Sequence, residues 1–208
     1  MQTQTAVSRL ETIGSAAAGI AHDLNNQLTL VLNYLDVSDV AGARAAAGRC
    51  CNLTSTLLAY SHEKKPTLQP LDPIAFVRNF LAELKSPAGV RIVVNTPESL
   101  PDIAADPLAL HRLLTNLISN ATSAMQGSGT LRIILRPGII SVEDTGPGIP
   151  PQNLALVFNA FFTTKGSSGT GLGLAIVRDV MRQHGGSVSV ESKVGEGSRF
   201  RLKFRLTQ

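Results

Sequence analysis

Apolar residues in the first sixty positions recur at helical spacing. Leu10, Ala17, Leu24 and Val31 stand seven apart, with Ile13 and Ile20 between them. The stretch from about Ala6 to Asp36 therefore predicts one helix with an apolar seam. A second seam runs through Ala43, Cys50 and Leu57, interleaved with Ala46, Leu53 and Tyr60. It ends near Lys65-Pro66, where proline stops a helix. A short connection around Val37–Gly42 joins the two, with Ser38 or Asp39 placed to cap the second. The pattern predicts an antiparallel helical hairpin. Because a hairpin alone buries too little surface, two chains are expected to pair as a four-helix bundle. The plainer alternative is a coiled coil without chemistry.

After Pro66 the period changes. Short strand-like runs at Val90–Asn95, Leu131–Arg136 and Ile139–Glu143 alternate with helical ones, with Pro137-Gly138 as the tight turn between the last two. Ser187–Glu191 and Ser198–Leu206 form a closing pair around Gly195-Glu196-Gly197. Helical patterns cover Pro73–Leu84, Pro107–Met125 and Leu172–His184. Strands and helices mixed without regular βαβ alternation argue for an α+β layered domain. The expected organisation is a helical hairpin over residues 1–66 and a second domain over 67–208, with the boundary near 66–70.

Composition narrows the class. The 208 residues are 43% apolar but only 4% aromatic, so aliphatic side chains must build the core. The formal charge of +4 comes from scattered Lys and Arg, which argues against nucleic acid as a partner. No apolar run approaches the roughly 20 residues of a membrane span, and the polar N-terminus is no signal peptide. Cys50 and Cys51 are adjacent, lack metal-ligand spacing and read as packing residues in a reducing cytosol. A cytoplasmic protein, or a piece of a larger one, is expected.

Four stretches carry candidate chemistry. On the first helical wheel His22 falls opposite the seam, with Asp23 beside it and Asn26 one turn on, on the same face. Asn116 and Asn120 project together from an otherwise apolar helix. Amide oxygens are hard neutral ligands suited to Mg²⁺, although asparagines also cap helices or simply face solvent. Asp144-Thr145-Gly146-Pro147-Gly148 follows a strand. There a carboxylate can accept a hydrogen bond while glycines let a flat ring approach the backbone; a surface Asp beside a glycine turn is the alternative. Thr163-Thr164-Lys165 and Gly169-Thr170-Gly171-Leu172-Gly173 lead into the next helix, whose N-terminal N–H groups and dipole suit phosphate oxygens. The segment between Gly148 and Gly169 is long enough to act as a lid.

In order and spacing these stretches resemble the sensor histidine kinases of two-component signalling, over nearly the whole chain. Ala21–Asn26 looks like the H box, Asn116–Ala121 the N box, Asp144–Gly148 the G1 box, Phe158–Phe162 the F box and Gly169–Leu174 the G2 box. The H box and Asn120-Ala121-Thr122-Ser123-Ala124-Met125 resemble the nitrogen-regulator branch. The resemblance implies a dimerising phosphotransfer hairpin followed by a Bergerat-type ATP-binding sandwich. It implies that His22 accepts phosphate, that Asp23 activates it, and that Asn26 positions water in phosphatase action on a response regulator receiver domain. It further implies that Asn120, helped by Asn116, binds Mg²⁺ and that Asp144 binds the adenine amino group. Thr164, Lys165 and the Gly169–Gly173 turn would hold the phosphates of ATP, with Gly146 and Gly148 shaping the pocket. One departure is Ser123, where many relatives carry a basic residue. The competing readings are a phosphotransfer protein with a degenerate ATP-binding domain, an ATPase clamp of the gyrase or chaperone type, and a serine kinase.

Overall fold

The computed structural model describes residues 24–44, 46–48, 50, 54, 66–84, 89–165 and 171–207. The chain divides into two compact units, Met1–Lys64 with Asn159–Leu172, and Lys65–Phe158 with Gly173–Gln208.

In the first unit residues 24–36 are helical and helix resumes at 40. Ser38 adopts a left-handed φ of 58°. Its N–H donates to Leu35 O at 2.9 Å, and the Asp39 N–H donates to Tyr34 O at 2.7 Å. These are the two bonds that close a helix through a left-handed residue. Asp39 then caps the next helix, its Oδ1 accepting from the Gly42 N–H at 2.9 Å. Of the two cap candidates Asp39 is the one used, and the connection is shorter than Val37–Gly42. Seam residues Ala43 and Ala46 are buried, whereas Leu28, Leu32 and Leu35 are 50%, 62% and 52% exposed along one helix face. Most of the seam, including Leu10, Ile13, Ala17, Ile20, Leu53 and Leu57, lies outside the described residues.

The second unit holds a five-stranded mixed sheet in the order β2-β4-β5-β7-β6. Its strands are β2 (Val90–Asn95), β4 (Gly129–Arg136), β5 (Ile139–Asp144), β6 (Ser187–Lys193) and β7 (Gly197–Lys203). β2 runs parallel to β4, and the other pairs are antiparallel. The short strands β1 (Gln69–Leu71) and β3 (Ile103–Ala105) form a separate antiparallel ribbon. Their three residues each are too few to register as alternation in the sequence.

Strand alternation decides the faces. Leu131, Ile133 and Leu135 on β4, Ile140 and Val142 on β5, and Phe200 and Leu202 on β7 enter the core, while Arg132 and Arg136 point away. The Pro107–Ala124 helix covers that core with Leu110, Leu113, Leu114, Leu117, Ile118 and Ala121, the i, i+3, i+4, i+7 stripe of an amphipathic helix. Two helices begin with the same Asp-Pro device. Asp72 accepts from Ile74 and Ala75, and Asp106 accepts from Leu108 and Ala109, while Pro73 and Pro107 fill the first position, where no donor is needed. No helix among the described residues is long and apolar enough to cross a membrane.

Candidate nucleotide-binding site

Asn116 and Asn120 stand half-buried on the Pro107–Ala124 helix, beside its apolar stripe. The helix Gly173–Gln183 begins directly against them. A side chain at Gly173 would place its Cβ 3.4 Å from Asn120 Nδ2 and 3.7 Å from Asn116 Oδ1. Glycine therefore keeps the space open between two amides and a helix N-terminus, where unpaired N–H groups and the dipole favour anions. Two turns from Asn116 along the same face lies Ala124, 3.5 Å from where a Cβ on Gly146 would sit. The stripe Asn116, Asn120, Ala124 thus runs from a helix start to the corner after β5, about 12 Å at 1.5 Å per residue.

That corner is held firmly. Asp144 is 7% exposed at the end of β5, and its Oδ1 accepts the Gly146 N–H at 2.9 Å. Burial raises its carboxyl pKa, opposed by backbone donors from Gly146 and Ser198. Thr145 Oγ1 accepts from the Thr130 N–H at 2.9 Å, fixing the corner to the start of β4. Gly148 has φ +74°, and a Cβ there would lie 2.2 Å from Lys193 O, so only glycine allows the approach to β6. The Gly195 N–H donates to Pro147 O at 2.8 Å, and the Ile149 N–H to Ser192 Oγ at 2.7 Å. Ser192 Oγ in turn donates to Gly197 O at 2.7 Å. The β6–β7 turn therefore clamps the loop after Asp144, a role for Ser192 that no sequence motif announced.

Asp106 and His184 were also missed as a pair. His184 is 1% exposed. Its Nδ1 lies 2.8 Å from Val180 O, and its Nε2 accepts the Asp106 N–H at 3.1 Å. This arrangement requires the Nδ1-protonated tautomer. Asp106 also accepts from the Thr67 N–H at 2.8 Å. Burial alone would raise its pKa, but donors from Ala109, Thr67 and Leu108, with His184 nearby, bring it below the ordinary value. The end of the Gly173–Gln183 helix is thereby tied to the start of the helix carrying both asparagines. Asp-Pro before an apolar run was a legible cap signal; the distant histidine was not.

The remaining candidates belong to the first unit. Phe161 has φ 67°, an outlier for a bulky residue. Its N–H donates to Gly171 O at 2.9 Å. Gly171 has φ +64°, and a Cβ there would lie 2.4 Å from Phe161 C, so the clasp requires glycine. Leu172 is fully buried. Thr164 and Lys165 are exposed, and the Lys165 N–H donates to Thr163 Oγ1 at 3.1 Å. Although Lys165 shows much of its surface, desolvation by the protein around it lowers its ammonium pKa from the ordinary value. Asn26 is helical and half-buried. His22, Asp23, Gly169 and Thr170 lie outside the described residues.

Among the described residues no group of three His, Cys, Asp or Glu could hold a metal ion. Asn116 and Asn120 offer instead a neutral oxygen-donor pair. Such a set fits Mg²⁺ that keeps its waters and arrives with phosphate oxygens. It does not fit a metal held by protein charge alone.

Residues 105–208 match the family described as histidine kinase-, DNA gyrase B- and HSP90-like ATPases. The chain belongs to that family, and its mixed sheet under helices is the Bergerat-type ATPase domain. It is 33% identical over 213 residues to the sensor histidine kinase ZraS of Escherichia coli O157:H7, across 93% of this chain and 46% of that protein. The chain thus spans about half the length of such relatives. Among solved structures, histidine kinase ThkA in complex with response regulator protein TrrA superposes with a TM-score of 0.77 at 22% identity, over 98% of this chain and 65% of that one. Full-length ShkA in complex with AMPPNP superposes at 0.68 and 24%, over 95% and 46%. At these identities the structures establish the fold.

Proposed function

We propose that the protein is a two-component histidine kinase that phosphorylates its own His22 from ATP and passes the group to an aspartate on a response regulator receiver domain. The observation that carries the reading is the stripe from Gly173 past Asn116 and Asn120 to the Asp144–Gly146 corner. It offers anion donors and metal-binding amides at one end and a buried carboxylate at the other. ATP laid along it places its adenine amino group on Asp144, with Gly146 and Gly148 allowing close approach of the ring. Its phosphates meet the helix start at Gly173, joined by Thr164, Lys165 and the Gly169–Leu172 turn. Asn120, with Asn116, would hold the Mg²⁺ that offsets phosphate charge. Ser123 is exposed and supplies no cation; Lys165 would meet the phosphates.

In the reaction a neutral His22 nitrogen attacks the γ-phosphorus in line. The new N–P bond forms as the bond to the bridging oxygen breaks, and the electron pair leaves on ADP. Asp23 accepts a hydrogen bond from the opposite ring N–H, fixes the tautomer and stabilises the positive charge that develops. Asn26, one turn on, would orient water for hydrolysis of the regulator's phosphoaspartate. The hairpin over residues 1–66 serves dimerisation and phosphotransfer, and residues 67–208 bind ATP. The exposed Leu28, Leu32 and Leu35 support a homodimeric four-helix bundle, because one chain leaves that face in water. The nitrogen-regulator branch and a cytoplasmic location complete the reading.

The test is incorporation of label from γ-labelled ATP. The wild-type chain should take up label that survives base and is lost in acid, and Asn120→Ala should take up almost none. Label that survives acid but not base would make the product a serine phosphate and overturn the proposal.

A further inference from the structure

Asp144 turns inward to the core side of the sheet, while its neighbour Glu143 points to the opposite face, and that face has no part in the nucleotide reading. Its outward positions follow from the register. Arg132, Glu143, Arg199 and Glu191 align across β4, β5, β7 and β6, and Ile134, Ser141, Arg201 and Ser189 form the next row. Arg136, Ile139 and Lys203 form the third row, and Arg91 on β2 aligns with Thr130 on β4. Lys193, in step with Glu191 on β6, faces the same way and pairs with Glu196 in the β6–β7 turn. The strands of this face therefore carry seven cations against two carboxylates.

The two carboxylates are already taken. Arg199 pairs with Glu143, and Arg201 pairs with Glu191 in bidentate fashion, with Nη2 2.9 Å from Oε2. Arg91, Arg132, Arg136 and Lys203 are exposed and form no ion pair with any described residue. Between them lie the half-buried aliphatic residues Val93, Ile134 and Ile139. Unneutralised guanidinium groups around an aliphatic centre match the anatomy of a protein-docking surface, with Arg enriched and its geometry matched to carboxylates.

We propose that this sheet face docks an acidic segment of another protein, one bearing aliphatic side chains among its carboxylates. A nucleic acid fits less well. Glu143 and Glu191 would face its phosphates, and no aromatic side chain stands among these outward positions to stack bases. An anionic membrane fits less well too, since the aliphatic centre of Val93, Ile134 and Ile139 is half-buried and offers no aromatic or leucine side chain to insert.

The test uses the isotope-labelled full chain titrated with a short peptide of alternating Glu and Leu. Amide shifts should concentrate on β2, β4 and β7, and binding should weaken as salt is added. The triple variant Arg91→Gln, Arg136→Gln, Lys203→Gln should bind the peptide about tenfold more weakly, with the affinity for an ATP analogue and the melting temperature unchanged. Four results would overturn the proposal: absence of peptide binding, equal affinity in the triple variant, shifts centred on Arg78, Arg112 or Arg178, which are exposed on the helices Pro73–Glu83, Pro107–Ala124 and Gly173–Gln183, and tighter binding of heparin or phosphatidylglycerol vesicles at equal charge concentration.

Discussion

Replacing Asp144 with asparagine separates nucleotide recognition from folding. Oδ1 of the buried carboxylate accepts the Gly146 N–H at 2.9 Å, and asparagine keeps an oxygen for that bond. The corner should therefore hold its shape. The second carboxylate oxygen becomes an NH₂ donor, which faces the adenine amino group donor to donor. A hydrogen bond to a charged group contributes about 1.5–3 kcal/mol, so at about 1.4 kcal/mol per tenfold ATP affinity should fall roughly 10- to 100-fold. GTP, with an acceptor at that ring position, should gain relative to ATP. Stability should move the other way. Because burial raises the folded-state pKa of Asp144, its favourable contribution is complete below the unfolded value of about 3.9 and is lost as pH rises through the folded one. At neutral pH the ionised group carries a desolvation cost that asparagine lacks. Calorimetric titration with a non-hydrolysable ATP analogue and Mg²⁺, beside a thermal melt, reads both quantities. Unchanged affinity would refute the assignment, and so would an affinity loss matched by a lowered melting temperature.

Two further substitutions probe the frame around the site. Gly148→Ala forces a side chain into a left-handed backbone 2.2 Å from Lys193 O. It should cost about 3 kcal/mol in urea unfolding, from the conformation itself and the two loop hydrogen bonds it displaces. Asp106→Ala removes the acceptor for Leu108, Ala109 and Thr67 and should cost about 2 kcal/mol. Because Asp106 titrates below its ordinary value, its stabilisation is present above about pH 3.9 and disappears as pH falls through the folded pKa. The wild-type advantage over Asp106→Ala should therefore shrink in an acid melt, and a constant gap across that range would contradict the reasoning.

Much of the second unit was legible in the sequence because its elements are long and strongly periodic. The Pro107–Ala124 helix announces itself by Asp-Pro and a leucine stripe, and β4 by an aliphatic run set between Arg132 and Arg136. Boundaries shifted by one to three residues where caps and turns, rather than periodicity, set the end, most at β7, which stops at Lys203 and not at Leu206. The ribbon of β1 and β3 was invisible because three residues carry no period. Within the site, Asn116, Asn120, Asp144 and Gly173 stood out in the sequence as candidate chemistry, and the family resemblance put them on one nucleotide. The spacing between them was not legible, since Gly146 and Gly173 let the two helices and the corner after β5 come close across the fold. Ser192 clamping the loop and His184 holding Asp106 join residues 43 and 78 positions apart, a separation no local pattern records.

The central claim is that ATP gripped by the Asn116–Asp144 stripe phosphorylates one particular imidazole. Exposing His22→Ala to γ-labelled ATP and Mg²⁺, with wild-type protein alongside and nucleotide affinity measured in both, tests it directly. The account predicts equal affinity in the two proteins and label in the wild type alone. Label entering His22→Ala at the wild-type rate would contradict it.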